Sequence, residues 1–254
     1  MNTVSDISAF LNEKVPYSMK MDFDNFGLLA GFPEKEVRTV LVALDITLDV
    51  IREAKELGAE LIISHHPIIF SPMRRVCTDS AEGKRLICLL QAGISAICLH
   101  TNLDRIEGGV NTALSEAVGA HPTEYLDIGC TAVLPEAMPI AGFLDICRTA
   151  LNAADIRFYD SDKPVFRLAV CGGAGGDLVT QALSLGCDTL LTGEIHHHQW
   201  LEGMEKGINM IEAGHFATEN VAVPVLAGLI SERYPELRVV CSARSHCVHT
   251  GFSI

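Results

Sequence analysis

Short apolar runs alternate along this chain with stretches whose apolar residues recur at helical spacing. Residues 39–46 form an apolar run rich in β-branched side chains and read as a buried strand. Thr47 then offers a helix cap, Leu48, Ile51, Ala54 and Leu57 share one helical face, and Gly58 supplies a stop. Further strands are predicted at 60–64 and 94–99, with helices at 84–92 and 109–118. After residue 165 the alternation resumes, with strands at 167–171, 188–192, 208–211 and 237–241 and helices at 177–185 and 218–233. Strands separated by helices imply a mostly parallel or mixed sheet, the α/β class, with α+β character where strands run antiparallel. The intervening stretch is less regular and contains Pro135, Pro139 and Pro164, so it reads as a connector carrying one helix at 142–153.

The two patterned regions can be overlaid. Leu57-Gly58-Ala59-Glu60-Leu61-Ile62-Ile63-Ser64 resembles Leu185-Gly186-Cys187-Asp188-Thr189-Leu190-Leu191-Thr192. Ala92-Gly93-Ile94 before His100 matches Lys206-Gly207-Ile208 before His215. The expected organisation is two similar α/β lobes related by pseudo-symmetry, spanning residues 1–125 and 166–254, joined by the connector at 126–165. Functional residues in such sheets gather beyond the carboxyl ends of strands, and a cleft between the lobes is the expected place for a site.

The polar residues at those strand ends carry metal chemistry. His65 and His66 close one apolar run, and Pro67 biases His66 towards an extended backbone. His100 with Asp104, and His215 with Glu219, each follow another run at i, i+4 spacing, which sets both side chains on one face of a helix's first turns. One such pair is also what a helix N-terminus would show, with the carboxylate favourable near the dipole. Its recurrence in both halves, beside the His65-His66 pair, points instead to a two-metal site. Imidazole with carboxylate suits Fe, Mn or Zn, with Mg admissible. Two cations about 4 Å apart activate a water and clamp a phosphate or carbonyl oxygen, so hydrolysis is the expected reaction class.

Two other stretches follow strands. In Gly193-Glu194-Ile195-His196-His197-His198, Glu194 is a candidate catalytic base or proton shuttle and His198 a candidate catalytic or substrate contact, while His196 and His197 read as surface residues. Gly172-Gly173-Ala174-Gly175-Gly176-Asp177 could present backbone amides to a phosphate. It lacks the Lys-Ser/Thr of a phosphate-binding loop and reads rather as a tight turn into a helix capped by Asp177.

Composition narrows the function classes. The chain has 254 residues and a net charge of −13, which argues against a general nucleic-acid binder with its basic face. It leaves room for a nucleotide held through bound cations, whose charge reverses the local field. The nine cysteines are scattered and odd in number, as expected of reduced thiols in the cytoplasm. Cys241 and Cys247 with His246 and His249 form a weaker candidate zinc group, because their spacing matches no common structural site. No charged segment leads into an apolar stretch at the N-terminus, and no run approaches the length of a membrane span, so the expected protein is soluble and cytoplasmic.

Asp24-Asn25-Phe26-Gly27-Leu28, Ser64-His65-His66-Pro67-Ile68-Ile69-Phe70, His100-Thr101-Asn102-Leu103-Asp104, Thr192-Gly193-Glu194 and Gly214-His215-Phe216-Ala217-Thr218-Glu219 occur in this order along almost the whole chain. Together they resemble the GTP cyclohydrolase I type 2 homologue family, the Nif-three-like dinuclear metal-binding proteins, in its short form without an inserted middle domain. The resemblance implies a Nif-three-like fold and metal ligands at His65, His66, Asp104, His215 and Glu219, with His100 as a sixth. It also implies two divalent metal ions per chain and a homohexameric ring with metal sites facing an internal cavity. The function expected from it is a metal-dependent hydrolase, of cyclohydrolase or phosphoesterase type, acting on a nucleotide or related small molecule. The competing readings are a non-catalytic metal-binding or regulatory interaction protein, and an oligomer in which the metals only stabilise assembly.

Overall fold

The computed structural model describes residues 2–245. The chain divides into two compact units. Among the described residues, the first takes everything up to Ile106 and then everything from Ala222, and the second takes Glu107–Val221.

The first unit contains β1 (Asn2–Thr3), α1 (Val4–Lys14), β2 (Gly27–Ala30), β3 (Glu36–Val37), β4 (Thr39–Ala43), α2 (Leu48–Leu57), β5 (Leu61–Ser64), α3 (Ala81–Gln91), β6 (Ser95–Cys98) and α4 (Thr101–Asp104). The second holds α5 (Val110–Ala117), β7 (His121–Tyr125), β8 (Cys130–Met138), α6 (Ile140–Ala150), β9 (Arg157–Tyr159), β10 (Val165–Ala174), α7 (Val179–Ser184), β11 (Thr189–Glu194), α8 (His197–Lys206), β12 (Asn209–Glu212) and α9 (His215–Glu219). The chain then returns to the first unit with α10 (Ala222–Arg233) and β13 (Arg238–Cys241).

The first unit's main sheet has the order β13-β4-β5-β6-β2, with β13, β4, β5 and β6 parallel and β2 antiparallel at the edge. Every residue of β4, β5 and β6 is buried, which is why these strands read as unbroken apolar runs instead of alternating ones. Thr47 caps α2 as expected, its hydroxyl accepting from the Val50 amide at 3.2 Å. Leu41, Ala43 and Ile62 from the strands pack with Val50, Ile51 and Ala54 of α2 and Leu86 and Leu89 of α3. α10 lies against β4 and β13.

The second unit's sheet has the order β7-β8-β10-β11-β12-β9, with β10, β11 and β12 parallel and the flanking strands antiparallel. Phe143, Leu144 and Cys147 of α6 and Leu114 of α5 meet Leu168, Val170, Leu191 and Ile211 of the sheet. A second cluster joins Val179 and Ala182 of α7 to Ala169, Leu190 and Met210. Both sheets are therefore built on the same core, β4-α2-β5-α3-β6 and β10-α7-β11-α8-β12, as the internal repeat predicts. The helix-to-strand turns match as well, with Gly58 and Gly186 in left-handed conformation at φ 68 and 73°.

Three expectations need correction. Residues 126–165 are not a connector: they supply β8, α6 and β9 to the second sheet, and Pro139 caps α6. Edge strands with one exposed face, such as β7, show no apolar alternation, and the prolines masked the rest. The 218–233 helix is two helices, α9 and α10, and Pro224 in the first turn of α10 was the unread signal for the break. The lobe boundaries also differ, because α5 packs on β7, β8 and β10 in the second unit, while β13 pairs with β4 in the first. Helix packing decides the first and strand pairing between distant segments the second. No helix among the described residues is long and apolar enough to cross a membrane.

Candidate metal centre

In the first unit the parallel strands end in register, Ala43 beside Ser64 and Ser64 beside Cys98. The residues just beyond those ends are Asp45, then His65 and His66, then His100 and Asp104. Each imidazole has one nitrogen committed. His65 Nδ1 lies 2.9 Å from the Leu99 carbonyl, His66 Nδ1 2.8 Å from Asp45 Oδ1, and His100 Nδ1 2.7 Å from Asp24 Oδ1. A carbonyl or carboxylate oxygen only accepts, so Nδ1 is the protonated donor in all three rings, and Nε2 is the nitrogen that a neutral ring offers to a ligand. One ligating nitrogen from each of the three histidines lies within 4.8 Å of the others.

His65 gives the sharpest indication of a cation. Its ring is fully buried, and Nε2 faces Asp104 Oδ1 at 3.7 Å. A buried imidazole nitrogen beside a carboxylate oxygen is a pair of atoms of the kind that bind borderline divalent cations. A divalent ion between them would be attracted to both. The donor set, neutral imidazoles with a carboxylate and with each ring held by an acceptor behind it, is the arrangement metal-binding histidines show. These residues fit a divalent cation.

Asp24 anchors this arrangement. Its buried carboxylate accepts His100 Nδ1–H, the Asn25 amide (2.8 Å), the Thr101 amide (3.0 Å) and the Thr101 hydroxyl (2.6 Å). Burial pushes its pKa up, but the hydrogen bonds from His100 Nδ1 and from the Thr101 hydroxyl and amide outweigh that and hold the carboxyl below its usual value. Cys98 lies close by, its thiol donating to the His65 carbonyl. Burial first, with the Asp24 charge added, raises its pKa far above the ordinary thiol range, so it stays a neutral thiol.

The second unit repeats the motif with different parts. His215 opens α9 and Glu219 closes it, and His215 Nε2 sits 2.9 Å from Glu219 Oε2, as i, i+4 spacing predicts. Glu194, the last residue of β11, places Oε1 3.2 Å from His215 Nδ1. In the repeat Ser64 overlays Thr192, so Gly193 and Glu194 stand where the first half has His65 and His66. Glu194 thus holds His215 as Asp24 holds His100. It is exposed and free to reach solvent, whereas Glu219 is buried.

The glycine run serves this pair. A Cβ at Gly173 would meet Glu219 Oε1 at 2.2 Å and His215 Nε2 at 3.2 Å, so only glycine lets the end of β10 pass beneath them. Its amides are occupied: Gly172 N–H donates to Asn111 Oδ1 (2.8 Å), Gly173 N–H to Thr218 Oγ1 (3.1 Å) and Gly175 N–H to Thr192 Oγ1 (2.9 Å). These amides do not form a phosphate cradle. Asp177 does not cap α7 as expected; its Oδ1 accepts from Gln199 Nε2 at 2.6 Å.

His198 lies on the first turn of α8, exposed, with its ring stacked on that of His196 at 5.9 Å between centroids. Cys241 is exposed at the end of β13, and Cys247, His246 and His249 lie outside the described residues. Sequence reasoning assigned no role to Asp24 or Asp45. Asp45 carried the same signal as His65, a polar residue just past a buried strand, and Asp24 lay within a motif already noted.

The family model for Duf34/NIF3 (NGG1p interacting factor 3) matches residues 2–247. A Clostridium perfringens protein named GTP cyclohydrolase 1 type 2 homolog is 32% identical over 240 residues, covering 91% of this chain and 92% of its own. A protein of the same name from Clostridium acetobutylicum is 33% identical over 235 residues, 88% of each chain. Among solved structures, a Staphylococcus aureus hypothetical protein matches with a TM-score of 0.90 at 26% identity, over 98% of this chain and 99% of that one. A Bacillus cereus protein related to NIF3 shares the fold with a TM-score of 0.90 at 23% identity, over 100% and 99% of the two chains.

Proposed function

The chain belongs to the Duf34/NIF3 family, and from that premise we propose that it binds two divalent cations and is a metal-dependent hydrolase of a nucleotide or related small molecule. The observation that carries the reading is the set of three imidazoles whose Nδ1 hydrogens are all committed, with His65 Nε2 facing Asp104. The proposed ligands are His65, His66, His100, Asp104, His215 and Glu219. The cations, Fe, Mn or Zn in preference to Mg given this donor set, would supply a water of lowered pKa and an electrophile for a phosphate or carbonyl oxygen.

The chain's own residues do the rest. Leu99, Asp45, Asp24 and Glu194 fix ring orientation and keep each Nδ1 protonated, which keeps Nε2 available. Glu194, exposed and 3.2 Å from His215 Nδ1, is the first proposed proton-handling group, exchanging a proton between that ring and solvent. His198 is the second proposed proton-handling group. The relatives' shared name, GTP cyclohydrolase 1 type 2 homolog, supports a nucleotide substrate, and a homohexameric ring is the assembly the family reading proposes.

The test is metal content per chain, for protein purified without chelator and for His66→Ala and His215→Ala/Glu219→Ala, followed by turnover of nucleotides and phosphoesters. Near two metals, lost in the variants together with activity, supports the proposal. No metal after reconstitution with Fe, Mn and Zn overturns it. Metal without turnover favours the non-catalytic binding protein.

A further inference from the structure

Two phenylalanines stand in water beside the three-histidine group, although the first unit has a large core that could have taken them. Phe23 is 62% exposed and Phe70 47%. Their rings meet edge to face, with centroids 6.4 Å apart, and Phe70 in turn stands perpendicular to His100 at 6.0 Å. The segments that carry them are fastened to each other and to the histidines. Asn25 Nδ2 donates to the Ile69 carbonyl at 2.6 Å, next to Phe70, and Asp24, next to Phe23, holds His100. Ile68, two residues before Phe70, and Asp24, next to Phe23, are buried. The segments that carry the two rings are therefore anchored while much of each ring stays exposed, apolar surface whose burial under a ligand would be favourable.

We propose that Phe23 and Phe70 form a stacking platform for the planar aromatic ring of the substrate, whose anionic group is held at the histidine end. The second half of this statement rests on the metal reading given above; the first half does not. Aromatic side chains bind flat rings by offset stacking or edge contact at centroid separations of about 4.5–7 Å. The 6.0 Å between Phe70 and His100 puts a ring stacked on Phe70 next to the imidazole that would hold the cation. The platform thus selects substrates that carry an aromatic ring and an anionic group close together. A sugar phosphate has only the second feature.

The experiment measures binding of guanosine monophosphate, phenyl phosphate and ribose 5-phosphate to the full chain, both Mn-loaded and metal-free. The proteins are wild type, Phe23→Ala, Phe70→Ala and Phe70→Trp, each with metal content and sedimentation measured. The expected result is that each alanine variant weakens guanosine monophosphate about 5–150-fold, the range of one stacking contact. Ribose 5-phosphate binding and metal content stay at wild-type values, and Phe70→Trp restores ring binding. Comparable losses for phenyl phosphate identify a general aryl site, and losses confined to guanosine monophosphate identify a nucleobase site. A loss of guanosine monophosphate binding in metal-free alanine variants keeps the platform even if the metal reading falls. Unchanged ring binding in both alanine variants overturns the proposal, as does absence of ring binding in the wild type. So does a shift in oligomeric state without a shift in ring affinity, which would make the pair a contact between copies.

Discussion

Replacing Asp24 by asparagine keeps the side chain's shape and removes half its accepting capacity, which makes it a direct test of how the histidine group is organised. The carboxylate receives four hydrogens, from His100 Nδ1 and the Asn25 amide on Oδ1 and from the Thr101 amide and hydroxyl on Oδ2. An asparagine offers one oxygen and one NH2. With the NH2 towards Thr101, the hydroxyl rotates to accept, but the Thr101 amide loses its acceptor. With the NH2 towards His100, the ring changes tautomer and accepts through Nδ1, the Asn25 amide loses its acceptor, and Nε2 becomes protonated. Either way one backbone N–H is orphaned, buried at Thr101 or half-buried at Asn25, at a cost of up to about 1–3 kcal/mol. For a chain of this size each kcal/mol lowers Tm by about 2–4 °C. Either way His100 also becomes a poorer ligand, and losing such an orienting partner weakens metal binding about 10–100-fold. The assay is a chelator-competition titration with Zn or Mn beside a thermal melt. A variant with lowered Tm and metal affinity within threefold of wild type would refute the tautomer argument, because the structural loss would then have occurred without the electronic one.

Other outcomes follow from neighbouring features. Gly173→Ala and Gly58→Ala share left-handed backbones, φ 64 and 68°, so each is expected to lose about 1–2 kcal/mol in a denaturant melt. Only Gly173→Ala drives a methyl into Glu219, whereas Gly58 has open space, so only the former is expected to lose metal by elemental analysis. Iodoacetamide at neutral pH is expected to label exposed Cys77 in the native protein, with peptide mapping showing Cys147 unlabelled until unfolding, since burial pushes its thiol up to about 12. Thr3 caps α1 and Asp6 closes the capping box, where hydrogen bonds from the Thr3 amide and hydroxyl hold its carboxyl below 3.8, its ordinary value. Its folded pKa is depressed, so the capping stabilisation is present above 3.8 and is lost as pH falls through the folded value. Melts of Asp6→Asn and wild type are expected to converge in that acid range.

Much of this protein could be read from local pattern. Fully buried parallel strands write themselves as apolar runs, Thr47 and Gly58 bracket α2, and the i, i+4 spacing of His215 and Glu219 survives into α9 because a helix turn is set by neighbours in the chain. The six candidate ligands and the repeated β-α-β-α-β core were legible for that reason. The partners that orient the proposed ligands were not. Asp45 reaches His66 across 21 residues and Asp24 reaches His100 across 76, distances that only strand pairing and loop packing close. The same holds for the role of the glycine run, whose amides pair with Asn111, Thr192 and Thr218, and for Phe23 meeting Phe70. β7 and β9 escaped because exposed edge strands leave no periodic trace, β8, an inner strand buried mainly over its first half, because Pro135 interrupts it, and β13 joined the first sheet because a strand's amides and carbonyls accept any neighbour in register. Spacing along the chain specified which groups could bind a metal. The protonation state and direction of each group came from residues that the chain alone does not place beside it, because hydrogen bonds and packing act through space.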